Sequence, residues 1–281
     1  MQRTKLQSVL RIVLYIILII YAALTIYPFL WAVAASFKPL SEITNGSLSL
    51  LSHHFTTEQY QYLFSASSGS MFVQWTINSF IIAIIGTVIN VFLNSMAGYA
   101  LAKLSFPGRQ KIYYGILAIM MVPTQVLLIP NFLIIKNLGM LDSFTAVILP
   151  MAVNISYIFM MRQFFLNFPT DVEEAARIDG LSRTGTFFRI VMPLARPSIA
   201  TQAVFIFMGF WNNFIGPLLY LRSPSNYTLT VGLNTIASTG GETAMWNRIM
   251  AMSILTIIPI IILYIFFNSY FLQSDRMDGE K

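Results

Sequence analysis

Charged residues are spaced along this chain so that they leave six apolar stretches, each long enough to cross a lipid bilayer as a helix. Five carry no charge from end to end: Ile12 to Phe37, Ile112 to Ile135, Ser143 to Met161, Pro197 to Leu221 and Ile249 to Ser274. The sixth lies within the uncharged stretch that closes at Lys103 and is best placed at Val73 to Ala97. Crossing the hydrocarbon core takes roughly 20 residues of helix, and an ionised side chain at its centre costs about 2.5–3.5 kcal/mol. Apolar runs of this length dictate helices, because hydrocarbon offers no water to a backbone that does not pair with itself. Only 10% of the residues are charged, against about 25% in a soluble domain, so a water-facing surface cannot be built. The expected fold is an all-α membrane protein with six transmembrane helices, at residues 12–37, 73–97, 112–135, 143–161, 197–221 and 249–274. No linker, composition shift or internal repeat divides it, so residues 1–281 are read as one transmembrane domain. The first run is too long for a signal peptide and meets Tyr27-Pro28-Phe29-Leu30-Trp31 where small residues would precede cleavage, so it is read as a retained span.

Six crossings place both termini on one side. With the termini inside, thirteen of the seventeen Lys and Arg residues are cytoplasmic, and only Lys38, Lys136, Arg222 and Arg248 are outside. That bias is the positive-inside rule. The net charge of +6 therefore reports orientation among membrane lipids and gives no ground for a nucleic-acid partner. The chain has no Cys, which excludes disulfides and thiolate metal sites. His53-His54 are adjacent, do not converge and lack a carboxylate cluster, so no metal site is expected. Two long external loops follow, 38–72 and 222–247, and one long cytoplasmic loop, 162–196.

The cytoplasmic loop carries the most information. Phe168 to Gly180 reads as a short helix: Thr170 and Glu173 have capping-box spacing, and Asp171, Glu173 and Glu174 suit the positive end of the helix dipole. Gly180 is placed to close the helix in the left-handed conformation, and a second helix from Arg183 to Val191 is expected to stop before Pro193. Ala175 and Ala176 would leave a smooth surface for another protein's backbone. Residue chemistry alone leaves two readings open, a docking element and an ordinary helix resting on lipid headgroups.

Glu174-Ala175-Ala176, Gly180, Ile190 and Pro193 resemble the EAA loop of binding-protein-dependent ATP-binding-cassette (ABC) importer permeases. The family pattern is E-A-A, three residues, G, nine residues, I, one residue, L-P, and every spacing is met, with Met192 for the usual Leu. The stretches Ala97 to Arg109, Pro123 to Pro130, Leu138 to Ser143 and Phe210 to Phe214 are similar to the sugar-permease group that includes the maltose transporter's smaller permease. The tail from Gln273 to Lys281 departs from that group's Gly-rich ending. The resemblance implies a type I importer fold in a bacterial or archaeal cytoplasmic membrane. It also implies a second related permease, two ATPase subunits and an extracytoplasmic solute-binding protein as partners. Coupling to the ATPase would run through Glu174, Ala175, Ala176, Arg177, Asp179, Gly180, Ile190 and Pro193. The chain has no G-x-x-x-x-G-K-[ST] loop, so ATP and Mg are expected on the partner ATPase and no cofactor or enzymatic activity on this chain.

A sugar pathway calls for hydroxyl-matching groups and rings. The candidates are Asn78, Gln125, Asn131, Asn154, Tyr157, Trp211, Asn212 and Asn213, with Asn90, Asn94 and Gln202 also at membrane depth. Such residues equally serve as hydrogen-bonding glue between helices. By resemblance, Thr239, Gly240, Gly241 and Glu242 form an external loop that meets the binding protein; a plain flexible loop is the alternative. Other solutes, such as a polyamine, a phosphate or an amino acid, would use the same architecture. An ion-driven transporter usually needs charged residues inside its spans, and these spans have none. No catalytic constellation suggests a membrane enzyme.

Overall fold

The computed structural model describes residues 2–45, 49–65, 70–239 and 245–278, all helical or irregular, with no strand among them. The helices are α1 (Gln2–Ser36), α2 (Leu40–Thr44), α3 (Glu58–Phe64), α4 (Phe72–Lys103), α5 (Arg109–Ile119), α6 (Leu128–Asn137), α7 (Phe144–Ile148) and α8 (Ile155–Leu166). They continue as α9 (Thr170–Ile178), α10 (Arg183–Thr186), α11 (Met192–Leu194), α12 (Arg196–Trp211), α13 (Ile215–Tyr220), α14 (Leu229–Thr239) and α15 (Trp246–Asp278).

Among the described residues, three segments are individually long and apolar enough to span a bilayer: Gln7–Ser36, Phe72–Lys103 and Trp246–Phe267. They contain the second expected span, all but the last residue of the first, and most of the sixth. The others are broken. Arg109–Ile119 and Thr124–Asn137 meet at 90°, Phe144–Met151 and Ile155–Leu166 at 48°, and Arg183–Leu194 and Arg196–Trp211 at 79°, so the described residues hold up to six spans if each bent pair is one. Each break has a proline at hand: Pro123 before the first 3₁₀ turn, Pro150 in the second, and Pro193 and Pro197 about the third. Proline has no N–H to continue the ladder, and its ring crowds the preceding turn. The fifth expected span, 197–221, is helical only to Trp211 before it breaks and restarts as α13. The segment 222–247, expected as loop, contains α14, whose Leu229 and Val231 are buried. The segment 38–72 likewise holds α2 and α3.

Two compact units emerge, residues 1–73 with 233–258 and residues 74–232 with 259–281. In the first, Phe37 stacks on Phe55 and Tyr60 at 4.8 and 4.9 Å. The Arg248 guanidinium lies 3.6 Å over the Tyr62 ring and donates to Gln59. Lys38 is buried, and its ammonium donates to the Ser49 carbonyl.

In the second unit α4 is the spine. Trp75 and Asn78 donate to the carbonyls of Pro224, Ser225 and Tyr227, and Ser79 accepts from Leu229 N–H. Farther along, Asn90 donates to the Met151 carbonyl and to Asn90 the Asn94 amide donates in turn, while Asn94 also accepts from Asn154 N–H. These two side chains satisfy the backbone where the helix is broken between Met151 and Asn154, which hydrocarbon would not do. Gln202 of α12 donates to Ser95. Gly98 lets α4 approach α8 closely, since a Cβ there would stand 2.7 Å from the Met161 Cβ.

Candidate functional site

The loop between α8 and α12 is pinned to the end of α4. Glu173 is 7% exposed, and its carboxylate lies 3.5 Å from the Lys103 ammonium and accepts from the Tyr99 hydroxyl at 3.4 Å. Lys103 also donates to the Phe168 carbonyl at 2.7 Å. Around them pack Tyr99, Met161, Phe165, Phe168, Phe187 and Val191. The side of α9 that carries Glu173 and Ala176 is thereby buried, and Val172 is half-buried. Asp171, Glu174, Ala175 and Ile178, at i, i+3, i+4 and i+7, share the opposite face and are exposed, Ile178 to 85%.

Two sequence expectations are corrected by this packing. The capping box is not made: Pro169 is the cap residue, Thr170 is already the first helical residue, and no side chain caps the end. Glu173 turns inward to Lys103, where a charged partner outcompetes an orphan N–H. Ala176 is 4% exposed and part of the anchor, so only Ala175 of the pair offers a smooth surface.

Gly180 does close α9, with φ +81°. Its N–H bonds to the Arg177 carbonyl and the Leu181 N–H to the Ala176 carbonyl, both at 3.0 Å, which is the Schellman arrangement. Ser182 then caps α10 by accepting from Gly185 N–H. The second loop helix does not stop before Pro193: it passes through a π turn, Phe187–Val191, and runs on as α11 to Leu194. The wide turn shifts the hydrogen-bond register just ahead of a residue that has no N–H to give. Arg177, Asp179 and Gly180 are exposed, and Ile190 and Pro193 are half-buried.

The three remaining backbone breaks converge elsewhere, on one cavity of about 580 Å³. Its wall takes Ile119, Met120, Val122 and Thr124 from the first break, residues 150, 151 and 153–156 from the second, and residues 209, 210, 213, 215 and 216 from about the gap between α12 and α13. Irregular backbone at membrane depth is tolerated where it is buried in protein or lines a cavity, and broken helices of this kind build solute sites in other transport folds. Four of the pathway candidates, Asn131, Asn154, Tyr157 and Asn213, line it together with Asn90 and Ser156. Asn154 caps α8 through its carbonyl oxygen, and Asn213 accepts from Gly216 N–H.

The other four candidates lie apart from this wall. Asn78 is consumed by the clip to Ser225 and Tyr227. Trp211 is 1% exposed and packs on Phe80 and Phe207 as core. Gln125 and Asn212 are exposed and do not line the cavity. Of the external loop, Thr239 ends α14, and Gly240, Gly241 and Glu242 fall outside the described residues.

A further polar clip was not read from the sequence. Asp142, at φ +62°, accepts from the backbone N–H groups of Arg222 and Ser223 at 2.9 and 3.0 Å and from the Ser223 hydroxyl. The Ser223 hydroxyl and these N–H groups hold its carboxyl well below the usual carboxylate range. The only sequence signal was its place at the end of Leu138-Gly139-Met140-Leu141-Asp142.

Comparison with known proteins adds a lineage to this geometry. Residues 94–276 match the family described as binding-protein-dependent transport system inner membrane component. An arabinooligosaccharides transport system permease protein of Bacillus subtilis is 35% identical over 274 residues, covering 98% of this chain and 97% of that one. A polygalacturonan/rhamnogalacturonan transport system permease protein of the same organism is 31% identical over 281 residues, covering 95% and 96%. Among solved structures, a chain of a bacterial ABC transporter involved in the import of the acidic polysaccharide alginate superposes with a TM-score of 0.83 at 25% identity, covering 94% and 97%.

Proposed function

The chain belongs to the family of inner membrane components of binding-protein-dependent transport systems, and from that premise we propose that it is a permease subunit of an ABC importer for a sugar or oligosaccharide. It pairs with a second related permease, rests on two ATPase subunits that hold ATP and Mg, and takes its solute from an extracytoplasmic solute-binding protein. In this reading the chain crosses the bacterial cytoplasmic membrane six times with both termini inside. The observation that carries the coupling role is the division of α9 into two faces. Glu173 and Ala176 fasten one face to α4, which leaves Asp171, Glu174, Ala175 and Ile178 facing outward from a helix that cannot yield independently. A partner that pushes on this face moves α4, and the side chains of α4 hold the breaks bordering the cavity. Carbohydrate transport is supported by whole-chain similarity to permeases named for arabinooligosaccharides and for polygalacturonan.

The test is gentle purification of the tagged chain from its native membrane beside a Gly180→Val variant, whose β-branched side chain cannot readily take the left-handed conformation at φ +81°. Co-elution of an ATPase and a second permease with the native chain, and loss of the ATPase from the variant, is the expected result. A native chain that elutes alone from several mild detergents would overturn the assignment.

A further inference from the structure

Relatives of this chain are named for neutral and for acidic carbohydrates, arabinooligosaccharides on one side and polygalacturonan and alginate on the other. We infer that the solute accommodated by the cavity of this chain is uncharged, an inference that rests on the permease reading above. Among the described residues that line the cavity, none is Asp, Glu, Lys, Arg or His. What the wall offers is apolar surface with amides and hydroxyls set into it. Among the described residues, the side chains of Asn131, Ser156 and Tyr157 make no hydrogen bond, and the side-chain nitrogen of Asn154 is free while its side-chain oxygen caps α8. The unpaired groups thus include both donors and acceptors, and none carries a net charge.

A sugar hydroxyl is itself donor and acceptor, so this wall matches a polyol. A carboxylate accepts only. It would lose its hydration in a site with no cation to replace it, and an unpaired ion in a low-dielectric surrounding is the costliest group to bury. The volume of about 580 Å³ lies in the range of small-molecule sites. Asn131 is the group to alter, because it lines the cavity and holds no structural bond.

Cells carrying the complete importer are supplied with labelled arabinotriose as the neutral probe and a galacturonate trimer as the acidic one. Asn131→Asp and Asn131→Lys replace the native chain in turn, and ATPase co-purification is measured for each to show that the complex has formed. Arabinotriose is expected to enter through the native importer and the galacturonate trimer not to. Both variants should lower arabinotriose uptake by about tenfold or more and by similar factors, since a neutral solute penalises a charge of either sign. Galacturonate uptake that survives Asn131→Lys and is abolished by Asn131→Asp would overturn the inference and leave the permease reading intact. Normal arabinotriose uptake by both assembled variants would also overturn it, by removing the cavity from the pathway. If an assembled complex that hydrolyses ATP took up no carbohydrate of either kind, the sugar-permease reading would fall and the inference with it.

Discussion

The Lys103 ammonium lies 3.5 Å from the Glu173 carboxylate, with both side chains only 9% exposed. The pair joins the last turn of α4 to the first turn of α9, 70 positions along the chain, and it decides which face of α9 is left exposed. Lys103 is held a second time by the Phe168 carbonyl, so the ammonium ties both the helix and the turn leading into it.

Removing one member of the pair leaves the other buried and uncompensated. Lys103→Met or Glu173→Gln alone is expected to destabilise the loop by about 1–3 kcal/mol, at or below the range for breaking a fully buried pair because these groups keep some solvent. The double replacement Lys103→Met with Glu173→Leu should recover most of that loss. Thermal unfolding in detergent and transport per ATP hydrolysed measure the two sides of this cycle. Equal, additive losses in the double variant would show that the two side chains do not interact.

At Gly180 the penalty for a side chain is conformational only, since an added Cβ would meet nothing within 4 Å. The left-handed conformation costs an ordinary residue about 1–2 kcal/mol, and Asn tolerates it best. Gly180→Asn should therefore retain ATPase co-purification far better than Gly180→Val. The two variants behaving alike would mean that bulk at a docking surface, and not backbone shape, is what Gly180 protects.

The Asp142 clip predicts a sign for pH dependence. Its folded-state pKa lies below its unfolded value, which is about 3.9. The clip's contribution is therefore complete above that value and is lost as pH falls through the folded pKa. The native chain should unfold at a higher temperature than Asp142→Asn at pH 7, and the gap should narrow on acidification below about pH 4. A gap that does not change with pH would show that the clip does not depend on the ionised carboxylate, since Asn tolerates the positive φ as well as Asp does.

With no native Cys, single replacements report topology directly. His54→Cys and Ile178→Cys both fall on exposed residues. In right-side-out vesicles an impermeant maleimide should label the first at once and the second only after the membrane is opened. Labelling of Ile178→Cys in sealed vesicles would reverse the orientation given to the loop.

Hydropathy and charge spacing are properties of short segments, and they were enough to locate the helices carrying α1, α4 and α15, the apolar runs of the broken pairs and the loop helix ending at Gly180. The EAA spacing was legible for the same reason, since fixed residues over some twenty positions need no knowledge of the fold. Position within an apolar run was legible too, but it did not tell which of the polar residues there face a cavity. Asn78 and Asn131 look equivalent in sequence, yet one is spent on the carbonyls of Ser225 and Tyr227 and the other keeps its amide open to the cavity. Glu173 and Glu174 are adjacent carboxylates, and only packing turns one onto Lys103 and leaves the other exposed. The breaks at 120–123, 152–154 and 212–214 likewise depend on what lies across from them. A helix can open in hydrocarbon only where a distant side chain or a cavity receives its backbone groups, and that receiving partner exists only once the chain has folded.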